Sequence, residues 1–412
     1  MQKKGLNNFT YSLLQVVLCI LGYLLQSILC FKIAVFFVLI YCILEGRKQK
    51  YIINPYNLLI LTPVSLLIYF NISDVFLVDL TPDTWLLILC NVNALIFGLK
   101  YTSETKFSER ILGKRESLML YSYLALIFVS IGILPHLIYH YTGEYIPMAY
   151  IIEMFSTVGV LLALATKSKM LSLLTIAIYL YPMLLGDASK TGVLTLLMVL
   201  LIAAEKFYMN SYSYVAYAKA RKWITAGCVI SIPIMIYAFT FANKDRGTYD
   251  TEEYYSYYDT RVEWNYNTAY FMPYMYIITP WANLQYVIET QDTRSNGYWF
   301  TKPILGVIFG NDYRKDEYLL HTESSFNTFS FIGLHFKDFG YWGSIFASLF
   351  LGFFIKKVYS LYSQSPSPFD AASYVFTAQA TLELFFSNHF FGQSYPFMIV
   401  ILMYILKKIL RM

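Results

Sequence analysis

The feature that most constrains this chain is a succession of apolar stretches, each close to the length of one bilayer crossing and each bounded by charges or turn residues. They fall near 9–26, 28–45, 53–71, 84–100, 117–139, 148–166, 170–186, 191–205, 223–242, 339–355, 370–387 and 395–409. A crossing needs about 20 apolar residues, and the hydrocarbon interior offers no partner for backbone N–H and C=O groups, so each stretch is expected to close its hydrogen bonds as a helix. The chain therefore reads as an all-α integral membrane protein with about twelve transmembrane helices. Residues 9–44 are almost unbroken in hydrophobicity, but one helix of that length would reach about 54 Å. A hairpin near Gln26 and Ser27 is expected instead. Only 14% of the residues are charged, against roughly 25% in soluble domains, which excludes a soluble enzyme, a disordered chain and a nucleic-acid binder. Lys3 and Lys4 precede the first run without a small-residue cleavage site, so a retained first helix is expected.

Charge placement orients the spans. With the N-terminus inside, the inner segments collect 21 of the 31 Lys and Arg residues against six acids, whereas the short outer loops hold only Lys32 and Lys190. Short cytoplasmic loops concentrate Lys and Arg, so both termini are expected to be cytoplasmic. The chain then divides into helices 1–9 over residues 1–242, a large outer loop over 243–338, and helices 10–12 over 339–412. Loops of this length are seldom mere connections. This one carries eight bases, thirteen acids, thirteen tyrosines and Trp264, Trp281 and Trp299, a composition that fits contact with carbohydrate or lipid headgroups as well as a membrane-interface aromatic belt.

The five cysteines lie in apolar runs and form no CxxC or Cys/His cluster, so they read as packing residues. His136, His140, His321, His335 and His389 all fall on the outer side under this topology, where they supply groups that titrate near neutrality. His136 and His140 share a helix face, but no HExxH pattern surrounds them, and no metal is expected. Lys190, Asp187, Glu153 and Glu383 interrupt apolar spans, where ionisable groups are costly. Lys190 follows Gly186 in the turn Gly-Asp-Ala-Ser-Lys-Thr-Gly and stands at a helix start. It reads either as a snorkelling lysine paired with Asp187 or as part of an anion site with the free N–H groups there. The loop arginines Arg246, Arg261, Arg294 and Arg314 lie in a net acidic segment and read either as ordinary ion-pair partners or as ligands of a lipid diphosphate.

From His321 the chain runs His-Thr-Glu-Ser-Ser-Phe-Asn-Thr and, after Lys337, Asp-Phe-Gly-Tyr-Trp-Gly into an apolar span. This resembles the Wzy-type O-antigen polymerase family, the oligosaccharide repeat unit polymerases, in the pair Asn327–Thr328 and the turn Asp338, Phe339, Gly340 and Gly343. The opening Ile53-Asn54-Pro55 and the Gly186–Gly192 turn are also similar, although Lys190 stands where that family usually has Arg. The family's Arg-x10-Gly loop pattern is not reproduced, since Arg294 to Gly306 is one residue longer.

The resemblance implies a GT-C-like, metal-independent membrane glycosyltransferase of polysaccharide biosynthesis, serving lipopolysaccharide or capsule. It needs no cofactor, resides in the inner membrane, and moves a growing glycan from undecaprenyl diphosphate onto a new lipid-linked repeat unit. A flippase and a chain-length regulator are the partners implied. Such a transfer needs positive charge on the departing diphosphate and a base for the acceptor hydroxyl. The diphosphate is assigned to Arg246, Lys190 and one of Arg261, Arg294 or Arg314. The base is assigned to His321, with Glu323 or Asp338 as substitutes, and Asp338 is read equally as a cap of the helix it precedes. The competing readings are an O-antigen ligase, which differs in acceptor, a secondary transporter, and a lipid-linked-sugar transferase using Asp74, Asp79 or Asp83.

Overall fold

The computed structural model describes residues 3–72, 79–100, 115–144, 149–184, 190–209, 222, 225–227, 271–290, 294–309, 328–390 and 395–410. The helices there are α1 (Lys3–Leu24), α2 (Ile28–Lys48), α3 (Pro55–Leu58), α4 (Leu61–Ile72), α5 (Pro82–Lys100), α6 (Arg115–Thr142) and α7 (Ala149–Ala165). They continue with α8 (Lys169–Leu184), α9 (Lys190–Ala203), α10 (Phe271–Thr290), α11 (Tyr298–Phe309), α12 (Phe331–Gln364), α13 (Pro368–Leu382) and α14 (Tyr395–Ile409). No strand occurs among the described residues.

The breaks between helices have local causes. Gln26 adopts a φ of 49° and turns α1 back toward α2, where the hairpin was expected. Asn54 caps α3 by accepting from Asn57 N at 3.1 Å, with Pro55 pre-set for the first helical position. The Asn54 amide also donates to Tyr51 O at 2.8 Å and to Gly46 O at 3.2 Å, tying the end of α2 to the start of α3. Ser367 and Pro368 repeat the device at α13, with Ser367 Oγ accepting from Phe369 N at 3.3 Å.

Four helical stretches, Ile28–Lys48, Pro82–Lys100, Leu118–Thr142 and Phe331–Gln364, are long and apolar enough to cross a membrane. Shorter apolar helices occupy Leu13–Leu24, Pro55–Tyr69, Ile151–Ala165 and Lys169–Pro182. One face of α12 presents Trp342, Phe346 and Phe350 outward at 77%, 68% and 53% exposure. A stripe of aromatic side chains at helical spacing suits a hydrocarbon solvent and not water.

Two apolar cores fill the interior. The first joins α1, α2, α4, α5 and α10 with the beginning of α12. The second joins α6 to α9, α13 and α14 with the end of α12, so that α12 runs through both. It lies against α5 so closely that a Cβ on Gly352 would come 2.1 Å from Leu95 O, and one on Gly98 2.4 Å from Leu349 O. Small residues at such crossings let helix backbones touch.

Helix α10 departs from the picture of 243–338 as an outer loop. Ile278, Trp281, Leu284 and Val287 are fully buried in the first core, and Trp281 Nε1 donates to Ser65 Oγ of α4 at 3.1 Å. Its polar residues escaped a hydropathy reading but find partners in distant segments: Gln285 Oε1 accepts from Thr81 N at 3.0 Å, and Asn283 Nδ2 donates to Thr328 O at 2.8 Å. The predicted span 223–242 lies outside the described residues, apart from isolated positions.

Candidate functional site

The site forms where α11 begins against the first part of α12, and a break in α12 creates it. Gly340 has φ 70° and ψ −164° inside a helix that is otherwise continuous from Phe331 to Gln364. That conformation is essentially restricted to glycine. The break interrupts the helical ladder and leaves the turn from Phe336 to Asp338 available to another segment.

Residues 294–300 take up that offer. Arg294 Nη1 donates to Phe336 O at 3.2 Å, and its guanidinium stacks on the Phe336 ring at 4.4 Å. Arg294 Nε would lie 3.3 Å from a Cβ on Gly340, so the glycine also makes room for the arginine. Ser295 N donates to Lys337 O at 3.0 Å.

Asp338 completes the junction. Its Oδ1 accepts from Ser295 Oγ at 2.5 Å and from Trp299 N at 3.1 Å, while Oδ2 accepts from Phe300 N at 3.0 Å. The carboxylate thus closes the first turn of α11, where free N–H groups and the helix dipole favour negative charge. Asp338 was read from sequence as a base or as a cap of the helix it precedes. In the structure it accepts from the first turn of α11, at 2% exposure with both oxygens hydrogen-bonded.

What remains is positive. Lys337, 2% exposed, lies on the same turn, where its carbonyl accepts from Ser295 N. Lys302, the fifth residue of α11, stacks on Trp299 at 4.3 Å. At this junction the Arg294 guanidinium lies on the Phe336 ring and the Lys302 ammonium over the Trp299 ring, while the Asp338 carboxylate is engaged by backbone and hydroxyl donors. A guanidinium directs a planar fork at phosphate oxygens. Lys302 and Lys337 were not singled out in the sequence because each entered only the charge balance of 243–338, with no motif around it.

Below the junction, His335 is fully buried, with Nδ1 3.4 Å from Ser348 Oγ. Ser348 donates to Asn91 Oδ1 at 2.6 Å, and Asn91 Nδ2 donates to Ser344 Oγ at 3.2 Å and to Leu87 O at 2.9 Å. These polar contacts pin both sides of the Gly340 break to α5.

Of the residues proposed from sequence, the structure brings Arg294 and Asp338 together. Lys190 is the first residue of α9. Arg246, Arg261, Arg314, His321 and Glu323 lie outside the described residues, as do Asn327 and Asp187. His136 Nε2 stands 3.6 Å from Glu153 Oε1, on a neighbouring helix. No group of three or more His, Cys, Asp or Glu residues suited to a metal ion occurs among the described residues.

The fold and site define a class: an all-helical protein with helices fit to cross a membrane and a cationic, aromatic junction at one end of the bundle. Compared with known proteins, the chain matches no protein-family model, no curated protein and no solved structure.

Proposed function

We propose that this chain is a membrane glycan polymerase that transfers a growing glycan from undecaprenyl diphosphate to a new lipid-linked repeat unit. The observation that carries the reading is the docking of Arg294 beside buried Lys337 on the Asp338–Gly343 turn, the same turn that resembles the Wzy-type signature. A diphosphate leaving group needs concentrated positive charge, and preorganised donors supply it without a metal. The aromatic rings around the cations suit the apolar faces of sugars.

In this reading the chain has about twelve crossings in a GT-C-like arrangement, sits in the inner membrane with both termini cytoplasmic, and works with a flippase and a chain-length regulator. Arg246, Arg261 or Arg314 joins Arg294 on the diphosphate, and Lys190 at the start of α9 provides a further cation. The product serves O-antigen or capsule synthesis.

The test is the glycan ladder from a strain deleted for the gene and complemented with the intact chain or with Arg294→Ala. Deletion is expected to collapse the ladder to a single repeat unit, the intact chain to restore it, and Arg294→Ala to leave it collapsed at normal membrane abundance. An unchanged ladder on deletion would sink the polymerase reading. Long chains retained on the carrier but missing from their final acceptor would point to the ligase.

A further inference from the structure

Beyond the Gly340 break, α12 leads from the Arg294 junction onto the outer surface of the bundle. Trp342, Phe346 and Phe350 follow the break at i, i+4 and i+8, at 77%, 68% and 53% exposure, and so share one stripe. At 1.5 Å per residue the stripe is about 12 Å long. Its near end is two residues from Gly340, where a Cβ would come 3.3 Å from Arg294 Nε. A chain of ring contacts runs beside it. Phe300, whose N–H donates to Asp338, has its ring centroid 6.2 Å from that of Phe397 in α14, and Phe397 lies 6.4 Å from Phe350 and 4.5 Å from Phe354. Ile401, one turn beyond Phe397 and 59% exposed, continues that border.

Composition separates this stripe from an ordinary lipid-facing surface. On α1 the outward apolar side chains include Leu13, Val16, Val17, Ile20 and Leu24, all aliphatic, at 41% to 69% exposure. On α12 every exposed large apolar residue is aromatic, from Phe339 to Phe350. An interfacial belt would hold Trp and Tyr at headgroup level, whereas here Phe346 and Phe350 carry the rings onward along the helix. Saturated acyl chains are served by aliphatic side chains, while flat ring faces suit a chain with planar double bonds.

We propose that the face of α12 lined by Trp342, Phe346 and Phe350, bordered by Phe397 and Ile401 of α14, holds the polyprenyl chain of a lipid diphosphate whose head lies at Arg294. The assignment rests on the reading that a polyprenyl diphosphate is the glycan carrier. In such a carrier the diphosphate is joined directly to the unsaturated chain, so its site must pass from cation to apolar surface without a polar gap. Arg294 against Gly340, with Trp342 two residues further on, makes that passage. A glycerophospholipid places glycerol and ester groups between phosphate and chains, and would leave the first ring of the stripe facing polar atoms. The stripe makes and breaks no bond; it binds the carrier and sets its approach to the junction.

The experiment uses the full-length protein in nanodiscs of phosphatidylglycerol and phosphatidylethanolamine, with a benzophenone side chain introduced in place of Phe346 or, as a reference on α1, of Val17. The probe is radiolabelled undecaprenyl diphosphate. Position 346 should be labelled about tenfold more than position 17, and unlabelled polyprenyl diphosphate should remove the label where excess phosphatidic acid does not. Equal labelling at the two positions, or displacement by phosphatidic acid, would mean an ordinary lipid-facing surface and overturn the proposal. A second measurement compares repeat units carried on undecaprenyl and on geranyl diphosphate. The preference of the intact protein for the long carrier, in kcat/KM, should shrink about tenfold in Phe346→Ala, chiefly through KM. Misfolding would lower both substrates alike, so this ratio isolates the chain. An unchanged ratio beside an active intact protein overturns the proposal and leaves the polymerase reading standing. Should Phe346→Ala fail to accumulate, the labelling decides. Selective labelling of a protein that transfers no glycan keeps the polyprenyl site and removes the polymerase reading, and absence of both labelling and transfer removes the two together.

Discussion

Helix α12 ends in two differently built environments. At its Phe331 end the helix is broken at Gly340, an arginine is docked on the turn before the break, and a carboxylate caps a neighbouring helix. At its Gln364 end, buried charges are met by closed local contacts. Glu205 accepts from Ile52 N at 2.6 Å and from Ile53 N at 3.2 Å, Lys206 donates to Tyr362 O, and Lys407 meets Asp370 at 2.5 Å. Tyr374 Oη donates to Ile53 O at 3.0 Å and draws α13 into the same knot. The closed end rests on charges matched within it, and the broken end on one arginine and one carboxylate that join two helices. The two ends therefore make opposite predictions for mutations of similar size.

The largest effect is expected at the broken end and in activity alone. Arg294→Ala should lower glycan transfer by about a hundredfold to a thousandfold, as loss of a preorganised donor does, with little change in thermal unfolding in detergent. Equal losses of activity and of folded protein would erase the contrast. At the closed end, Glu205→Ala should cost about 3 kcal/mol by leaving two backbone N–H groups unmatched, read as a lowered melting temperature. An unchanged melting temperature would show that water reaches those groups.

Asp338 sharpens the comparison because it lies at the broken end and joins α12 to α11. Asp338→Ala should cost about 2 kcal/mol through the lost cap. Asp338→Asn should cost less and retain most of the transfer rate. Loss of transfer in Asp338→Asn at unchanged stability would restore the carboxylate as a base.

A smaller effect concerns pH. Burial, and to a lesser degree the nearby charge of Lys50, push the Lys206 ammonium down to about 7, against the opposing effect of Asp370. In the unfolded chain this lysine stays protonated to about pH 10.4, so between the two values the unfolded state binds the extra proton and stability rises with pH. The contribution is roughly 1 kcal/mol between pH 7 and pH 8, and Lys206→Met should flatten that rise. Identical pH dependence in the variant would place the source elsewhere.

Much of the helical layout was legible in the sequence because hydropathy and turn residues are local signals. The starts of α2, α5, α7, α8 and α14 fall within two residues of the apolar runs, and Gln26 marks the first hairpin. The burial of α10 was not legible. Pro273, Pro280, Asn283, Gln285 and Glu289 break its apolar pattern, and their acceptability depends on partners such as Thr81 and Thr328 far away in the chain. The site was legible in part for the same reason. Asp338 and Gly340 stood out as a turn, and Arg294 stood out as a base in an acidic segment, but their union is a contact across more than forty residues. Glu383 and His389 were each visible as polar groups near a span, while their pairing depends on how the turn after α13 is folded.

The carboxylate that closes the first turn of α11 belongs to a residue 38 positions later than Phe300. During synthesis α11 therefore emerges with its N-terminal amides uncapped, and the turn is completed only after the Asp338 region of α12 has been made. Assembly at this end is consequently ordered in time, with the arginine carried into place as the later helix arrives. A chain truncated at residue 330 should leave residues 294–309 open to protease, whereas one extended through α12 should protect them.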